Sequence, residues 1–387
     1  MFFVLLKGSS QYGALELHID QLAAALAAAG HQAEVLDTSA DDFAPRMLDA
    51  AARRPQAFLS LNGIGCGLEL NGQPAYDLLD AVFASFYVDN PIYHLDRLTA
   101  PMRRKAAFFL DETHVELARA AQWSDGFRQI AFLPPGAIAG PSDQSARAFE
   151  DRDIAVLFTG TFRGEPERPW LDWPEGPTRT IVADVAERMA ADAELPVQQA
   201  LTQALTAFGA ELTPQRLTGF LPVLQGPLRF AEAHHRAAFV RALGEAGASV
   251  TLYGQGWDKL AGRYASFDYR GPGGFAETLS LLPRTRIVLN TNNGFMAGGH
   301  ERVFTAMSAG AHVFSDHSRY YAEAFEESRE ISLFRWRDLA QAPARLERLL
   351  ADPDALAAKA AAGQARARRE QSWASRVGPL LNALEGV

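Results

Sequence analysis

Residues 290–316, NTNNGFMAGGHERVFTAMSAGAHVFSD, are the stretch that decides the fold. An apolar run predicts a strand ending at Asn290, and the loop after it contains Gly294, Gly298 and Gly299. A helix is predicted to begin near His300. Glycines let the backbone approach a ligand closely, and the free N–H groups of a helix start favour an anion such as phosphate. This stretch is either a phosphate-binding turn or an ordinary strand–helix connection.

The rest of the chain repeats this alternation of short apolar strands and helical patterns. Continuous apolar strands between helices are typical of a parallel sheet covered on both faces. We therefore expect an α/β protein with two Rossmann-like, doubly wound domains in tandem. The predicted parts are a first domain, a second domain, a helical insertion within it and a closing helix, at residues 1–150, 151–370, about 165–230 and 371–387.

Length and charge agree with two domains and exclude some functions. The chain has 387 residues, 37 Lys and Arg against 46 Asp and Glu, a formal net charge of −9 and one cysteine. The acidic balance argues against nucleic acid as a partner, and a lone Cys66 forms neither an intramolecular disulfide nor a cysteine-based zinc cluster. The start of the chain lacks a signal-peptide pattern, and no stretch reaches the ~18 apolar residues of a spanning helix. We expect a cytoplasmic protein with no integral membrane segment.

Several phrases occur in an order that resembles a known family. They are VLFTGTF at 156–162, HHRAAFVRALGEAG at 234–247, VTLYGQGWD at 250–258, ERVFTAMSAG at 301–310 and QSWASRV at 371–377. Together they resemble the two-Rossmann glycosyltransferases of the GT-B fold, and most of all the bacterial CgeB-like, spore-maturation type. The resemblance covers about residues 151–380 and reaches residues 1–150 only weakly.

The resemblance implies a glycosyltransferase that moves a sugar from a nucleoside-diphosphate sugar to an acceptor hydroxyl. The acceptor would be a protein such as flagellin or a surface glycan, bound by the first domain, and the nucleotide sugar would be bound by the second. The reaction would take place in the cleft between them. No other cofactor is expected. The alternative is a non-catalytic pseudo-enzyme that binds the nucleotide sugar or docks a partner.

The diphosphate needs positive charge, and no convincing acidic metal motif is present, so we expect arginines and helix N-termini in place of a metal. Arg163, Arg236 and Arg302 should therefore converge. His234 and His235 point about 100° apart on a helix, which does not favour a shared metal. The full set of expected donor contacts is Gly160, Arg163, Arg236, Tyr253, Gly254, Trp257, Asn290, Gly298, Gly299, His300, Glu301, Arg302 and Thr305.

Two members of this set carry alternatives. Tyr253 and Trp257 follow a strand and suit a nucleobase, although Trp257 equally suits the core. Many enzymes of this fold hold the donor ribose with a glutamate at the position of Thr305. A threonine hydroxyl cannot accept hydrogen bonds from two ribose hydroxyls as a carboxylate does. Three alternatives follow: Glu301 or Asp316 supplies the acceptor, the ribose is bound less tightly, or activity is lost.

A catalytic base is expected in the first domain. Asp89 ends an apolar strand and His94 follows it, which suits proton transfer at a cleft, although Asp-Asn-Pro is also good turn chemistry. Asp111 and His114 are weaker candidates. His18 falls on an apolar helix face and is interpreted as a core residue. The loop at residues 8–13 contacts the acceptor or sugar, or simply connects a strand to a helix.

Overall fold

The computed structural model describes the whole chain except Gln11, residues 141–146, Ala261 and Asn293. It forms two compact units, residues 1–138 with 369–387 (unit 1) and residues 139–368 (unit 2). Each unit contains a six-stranded sheet in which all neighbouring strands are parallel. The predicted α/β class with two Rossmann-like sheets is confirmed. None of the described helices has the length and apolar character needed to cross a membrane.

Unit 1 has its sheet in the order β2-β1-β3-β6-β7-β8, with β4 and β5 forming a separate antiparallel pair. Buried residues alternate between the two faces, as the period of two in a strand requires: Phe3 and Leu5 pack on one face, Val4 and Leu6 on the other. The strands are β1 Phe2–Lys7, β2 Gln32–Asp37, β3 Ala57–Leu61, β4 Glu69–Leu70, β5 Gln73–Pro74, β6 Phe83–Tyr87, β7 Lys105–Phe109 and β8 Gln129–Phe132. The helices are α1 Ala14–Ala28, α2 Phe43–Ala52, α3 Ala75–Leu78, α4 Leu95–Leu98 and α5 Glu112–Ala120.

Unit 2 has its sheet in the order β11-β10-β9-β12-β13-β14. Aromatic side chains such as Phe158, Phe239 and Phe314 fill its core. The strands are β9 Ile154–Thr159, β10 Val250–Tyr253, β11 Phe267–Tyr269, β12 Thr285–Asn290, β13 His312–Asp316 and β14 Ser332–Phe334. The helices are α6 Pro177–Ala191, α7 Val197–Ala207, α8 Pro214–Phe220, α9 Gln225–Glu245, α10 Phe275–Leu281, α11 Glu301–Ser308, α12 Arg319–Ala324, α13 Ala342–Leu350 and α14 Pro353–Glu370.

The last helix, α15 Trp373–Leu384, packs within unit 1. Trp373 is buried there, and its indole Nε1 donates to His18 Nδ1 over 3.2 Å. His18 is 2% exposed, so it is a core residue as its helical position predicts. Gly136 lies so close that a Cβ on it would be 2.3 Å from the Trp373 backbone nitrogen.

The strand orders fix where each unit offers a crevice. In unit 2 the first and fourth strands, β9 and β12, are neighbours, so the connections after them leave toward opposite faces of the sheet. Ligands of open α/β sheets bind at such a switch point, beyond the carboxyl ends of the strands. In unit 1 the corresponding neighbours are β1 and β3.

Several elements differ from the sequence expectation. The edge strands β11 and β14 contain only three residues each, too few to give a periodic signal. Helix α9 begins at Gln225, nine residues before the phrase at 234–247 that indicated it. Helices α6 to α8 occupy the stretch expected to be a helical insertion, and its status as an insertion stays a prediction.

Candidate functional site

The loops after β9 and β10 are in backbone contact. Gly160 N donates to Tyr253 O over 3.1 Å, and Phe162 N donates to Gln255 O over 2.9 Å. Gly254 has a φ of +126°, and a Cβ on it would lie 2.2 Å from Gly160 O. No other residue type fits this position without displacing the loops. The two expected glycines, Gly160 and Gly254, are therefore brought together beside the switch point.

The same loops bury Trp257 instead of presenting it to a ligand. Trp257 is 0% exposed, its Nε1 donates to Gly160 O over 2.8 Å, and its ring stacks on Phe162 at 5.2 Å between centroids. This geometry corrects the expectation of a nucleobase contact, because the indole has no surface to offer and instead holds the loop. Tyr253 remains partly exposed. Its hydroxyl packs directly against Gly273, where an added Cβ would lie only 1.7 Å from the oxygen.

Arg302, in the first turn of α11, lies across the switch point. Its Nη1 donates to Asn290 Oδ1 over 3.0 Å, and a Cβ on Gly160 would be 3.2 Å from its Nη2. His300 caps the helix, with Nδ1 accepting from Arg302 N over 3.2 Å. His300 N donates to Tyr321 Oη over 2.9 Å. The end of β12 and the start of α11 thus fix one guanidinium above the Gly160 backbone.

Arg236 reaches the same place from the middle of α9. Its Nη1 donates to Thr161 O over 2.5 Å and its Nε to Thr291 Oγ1 over 3.4 Å. Burial, together with the positive charges of Arg302 and Arg163, lowers the pKa of Arg236 to about 10. Burial also lowers the pKa of Arg302. Arg236 and Arg302 therefore meet at the backbone of Gly160 and Thr161, and the exposed Arg163 is close enough for its charge to act on Arg236.

Such a cluster suits an anion. Like charges held close and partly desolvated repel one another, and an anion placed among them relieves that repulsion. A diphosphate is the matching ligand because guanidinium groups donate in a fork that fits phosphate oxygens.

The glycines before α11 serve packing. Gly299 is buried, and a Cβ on it would lie 2.4 Å from the ring of Phe304. Gly298 is also buried, and its carbonyl accepts from Ser318 Oγ over 2.6 Å. A side chain at Gly299 would therefore collide with the helix that carries Arg302.

The acids near Thr305 have different surroundings. Thr305 is 3% exposed. Glu301, one turn earlier, lies 2.5 Å from His300 Nδ1. Asp316 is also buried, and its oxygens accept from Asn292 N at 2.7 and 2.9 Å, from Ser315 Oγ at 3.1 Å and from Trp336 Nε1 at 3.1 Å. Burial nevertheless raises the pKa of Asp316 to about 7.

In unit 1 the structure brings together the two residues expected to act as a base. His94 Nε2 lies 3.3 Å from Asp89 Oδ2, and the same oxygen accepts from Asn62 Nδ2 over 2.8 Å. Asn62 directly follows β3 at a φ of +50°, and its carbonyl accepts from Arg97 Nη1 over 2.6 Å. Asn62 is not among the residues expected from the sequence. The signal available was its place just after β3, a polar residue at the end of an apolar run.

The weaker base candidates have structural partners. Asp111 caps α5 by accepting from Thr113 N over 2.7 Å and is 0% exposed. His114 is 2% exposed and lies 3.3 Å from Asn90 Nδ2. In the loop at residues 8–13, Ser10 N donates to Glu16 Oε1 over 2.8 Å, while Gln11 lies outside the described residues.

The histidine pair on α9 does not form a metal site. His235 Nε2 donates to Met189 O over 2.9 Å, and the rings of His234 and His235 are nearly perpendicular at 81°. Across the described part of the chain, no three His, Cys, Asp or Glu residues are grouped to hold a metal ion.

Comparison with known proteins agrees with this geometry. Residues 235–382 match the family model described as glycosyl transferase-like. No curated protein sequence matches the chain. Three similar solved structures follow, each covering 100% of this chain. An alpha-glucosyltransferase in complex with UDP has a TM-score of 0.60, 8% identity and 100% of its own chain covered. HepE of Anabaena, in complex with UDP and glucose, has a TM-score of 0.54, 11% identity and 100% covered. Sucrose-phosphate synthase from Thermosynechococcus elongatus has a TM-score of 0.52, 12% identity and 99% covered.

At these identities the solved structures establish the fold, and the family match adds the glycosyl transferase-like segment that contains Arg236 and Arg302. The chain has the fold of the GT-B glycosyltransferases, and its second half matches a glycosyl transferase-like family.

Proposed function

We propose that this protein is a glycosyltransferase that moves a sugar from a nucleoside-diphosphate sugar to an acceptor hydroxyl. The observation that carries the proposal is that Arg236 and Arg302 meet beside Gly160, at the switch point of the unit 2 sheet, where the charge of Arg163 also acts on Arg236. Unit 2 binds the nucleotide sugar, and unit 1 binds the acceptor, a protein such as flagellin or a surface glycan. The ordered phrases at residues 156–377 support our assignment to the bacterial CgeB-like type, and we propose that the protein acts in the cytoplasm.

The reaction follows from these groups. The acceptor oxygen bonds to the anomeric carbon of the sugar, and the bond from that carbon to the diphosphate breaks. Negative charge grows on the departing diphosphate, where the arginines stabilise it. The acceptor proton passes to the pair Asp89–His94, whose 3.3 Å separation lets the carboxylate hold the imidazole that takes it.

We propose that the transfer requires no metal ion, because three guanidinium groups supply the positive charge at the diphosphate. The test is donor turnover with and without EDTA, after dialysis against the chelator. Unchanged turnover is expected. Loss of turnover that Mg²⁺ or Mn²⁺ restores would show that the arginines do not suffice.

The proposal is tested by incubating the protein with UDP-, GDP- and dTDP-sugars, first following thermal unfolding and then product formation. A rise in Tm with one nucleotide and release of its diphosphate are expected. No binding of any nucleoside diphosphate would contradict the proposal.

A non-catalytic nucleotide-sugar-binding protein is the second candidate. The observation that favours it is Thr305, which is buried at the position where many enzymes of this fold carry a ribose-binding glutamate. Binding without transfer or hydrolysis of any donor would favour this candidate. A Thr305→Glu variant that binds UDP more tightly would show that the ribose position lies beside this residue.

A further inference from the structure

Arg302 belongs to a set of hydrogen bonds that closes on itself. Its Nη1 donates to Asn290 Oδ1 over 3.0 Å, and Asn290 Nδ2 donates to Asn292 Oδ1 over 2.9 Å. Tyr321 Oη donates to the same Asn292 oxygen over 2.9 Å and accepts from His300 N over 2.9 Å. His300 Nδ1 in turn accepts from Arg302 N over 3.2 Å. These five residues, the Arg302 network, join the start of α11 to the end of β12.

The interior members of the Arg302 network are closed off from solvent. Asn290 and Tyr321 are 0% exposed, and Asn292 is 3% exposed. Water does not readily replace a lost hydrogen bond at such positions, so removing one partner leaves a buried polar atom unsatisfied. Burial raises the pKa of Tyr321 well above its usual value, so the hydroxyl keeps its proton and stays a donor. The network therefore favours one arrangement of its side chains.

The direction of the Arg302 guanidinium depends on the orientation of the Asn290 amide. An amide NH₂ group has two hydrogens, and those of Asn290 are donated to Asn292 Oδ1 and to Ser315 Oγ, both over 2.9 Å. The Asn290 oxygen consequently faces Arg302. A flipped amide would present N–H groups to a guanidinium that has no acceptor to offer. The groups that fix Asn290 thus act on Arg302 as well.

Tyr321, on α12, connects the two ends of the Arg302 network. Its hydroxyl accepts from the backbone at the start of α11 and donates to the side chain that follows β12. The rings of Phe304 and Phe325 lie 6.2 and 6.4 Å from the Tyr321 ring between centroids and hold it in place. Removal of the hydroxyl alone would therefore open the network at one point while the ring keeps its packing.

We propose that Tyr321 is a positioning residue that keeps the Arg302 guanidinium beside the Gly160 backbone, where the diphosphate binds. The inference rests on the proposed function, because the position of Arg302 affects binding only if the ligand lies against it. Tyr321 is 0% exposed, so it acts through His300 and Asn292 and not by touching the ligand.

Calorimetric titration of UDP into single and double variants tests this role. Tyr321→Phe removes the hydroxyl and keeps the ring, and it should weaken UDP binding about five- to tenfold. In the Arg302→Ala background the same change should weaken binding by less than about twofold more, because the group that Tyr321 positions is already gone. A merely structural role would lower Tm without this dependence on Arg302.

Tyr76→Phe is the matched control. Tyr76 is 1% exposed in unit 1, and its Oη donates to Gly65 O over 2.9 Å, so this variant also loses a buried hydrogen bond. It should unfold at a lower temperature than wild type and bind UDP as wild type does. Asn292→Ala opens the Arg302 network at its next member. It should also weaken UDP binding, again only while Arg302 is present, and it replaces Tyr321→Phe in the test if that variant does not fold.

Wild-type UDP affinity in the folded Tyr321→Phe variant, or in Asn292→Ala where it takes that place, would overturn the inference. Equal losses from the change with and without the Arg302 guanidinium would overturn it too. A wild-type protein that does not bind UDP, or an Arg302→Ala variant that binds UDP normally, would instead contradict the proposed function.

Discussion

The strand-end groups of the two units differ in charge and exposure. In unit 2 three arginines converge, and burial together with mutual repulsion lowers the pKa of Arg236 to about 10. In unit 1 an acid and a histidine meet at 3.3 Å, with 54% of the Asp89 side chain and 15% of the His94 side chain exposed. One group holds like charges together. The other pairs an acid with an imidazole.

This difference indicates separate tasks. Desolvated like charges raise the free energy of the unliganded protein, and an anion lowers it again, so the unit 2 cluster suits binding. An exposed carboxylate beside an imidazole has little such cost and can exchange a proton with a substrate or with water, so the unit 1 pair suits chemistry. The four predictions below test this division, from the largest expected effect to the smallest.

The largest effect is expected from Asp89→Asn. The amide keeps the shape of the carboxylate but cannot stabilise a protonated His94. Turnover of the donor should therefore fall by about 10²–10³-fold while UDP affinity stays within twofold. Steady-state hydrolysis or transfer measures the first quantity and calorimetry the second. Asp80→Asn, at a side chain that is 81% exposed, is the matched control. A loss of UDP affinity in Asp89→Asn would contradict the assignment of donor binding to unit 2 and of proton transfer to unit 1.

Gly254→Ala should break the unit 2 site through the backbone. A Cβ there would lie 2.2 Å from Gly160 O at a φ of +126°. We expect unfolding free energy to fall by about 2–3 kcal/mol, because the loops must separate or strain. Gly209→Ala has a comparable positive φ of +80° and nothing within 4 Å, so it should cost about 1 kcal/mol. Denaturant unfolding measures both. Equal losses would mean that the loops are not in contact.

Arg302→Ala should weaken UDP binding by about 30-fold, since charge-assisted hydrogen bonds to phosphate are lost. Arg163→Ala should have a smaller effect because Arg163 is exposed. Calorimetric titration at fixed ionic strength is the measurement. Arg241→Ala, on the same helix as Arg236 and with 46% of its side chain exposed, should bind UDP like wild type. Unchanged affinity in Arg302→Ala would place the phosphates elsewhere.

The smallest effect is that of salt. Raising NaCl from about 50 to about 500 mM should weaken UDP binding roughly three- to tenfold, since the Debye length falls from about 14 to about 4 Å while partly buried charges stay less screened. Turnover at saturating donor should change less than twofold if Asp89 and His94 act on the proton alone. A salt-independent affinity would argue that the arginines do not face the ligand.

The parts of the fold that follow from local pattern were predictable. The strands β3, β6 and β12 end within two residues of Asn62, Asp89 and Asn290, where their apolar runs stop at a polar residue. Arg163 follows β9, the first strand of unit 2, and Arg302 lies at the start of α11, the helix after the fourth strand, β12. The fold places β9 and β12 side by side, so these two arginines lie at the same edge of the sheet.

Other features depend on contacts that a linear pattern does not contain. From the sequence, an indole that follows a strand is equally consistent with a ligand contact and with a core position. Trp257 is fixed inside the protein by the hydrogen bond from its Nε1 to the backbone carbonyl of Gly160. The orientation of the Asn292 amide is fixed because Asn290 and Tyr321 both donate to its oxygen, and Tyr321 is 29 residues away. The pairing of Asn62 with Asp89 likewise needs β3 and β6 to be neighbours.

The most direct test of the central claim is a crystal structure of the protein with UDP. The account predicts that diphosphate oxygens lie within about 3 Å of guanidinium nitrogens of Arg236 and Arg302, beside the Gly160 backbone. A diphosphate bound away from all three arginines, or against unit 1, would contradict it.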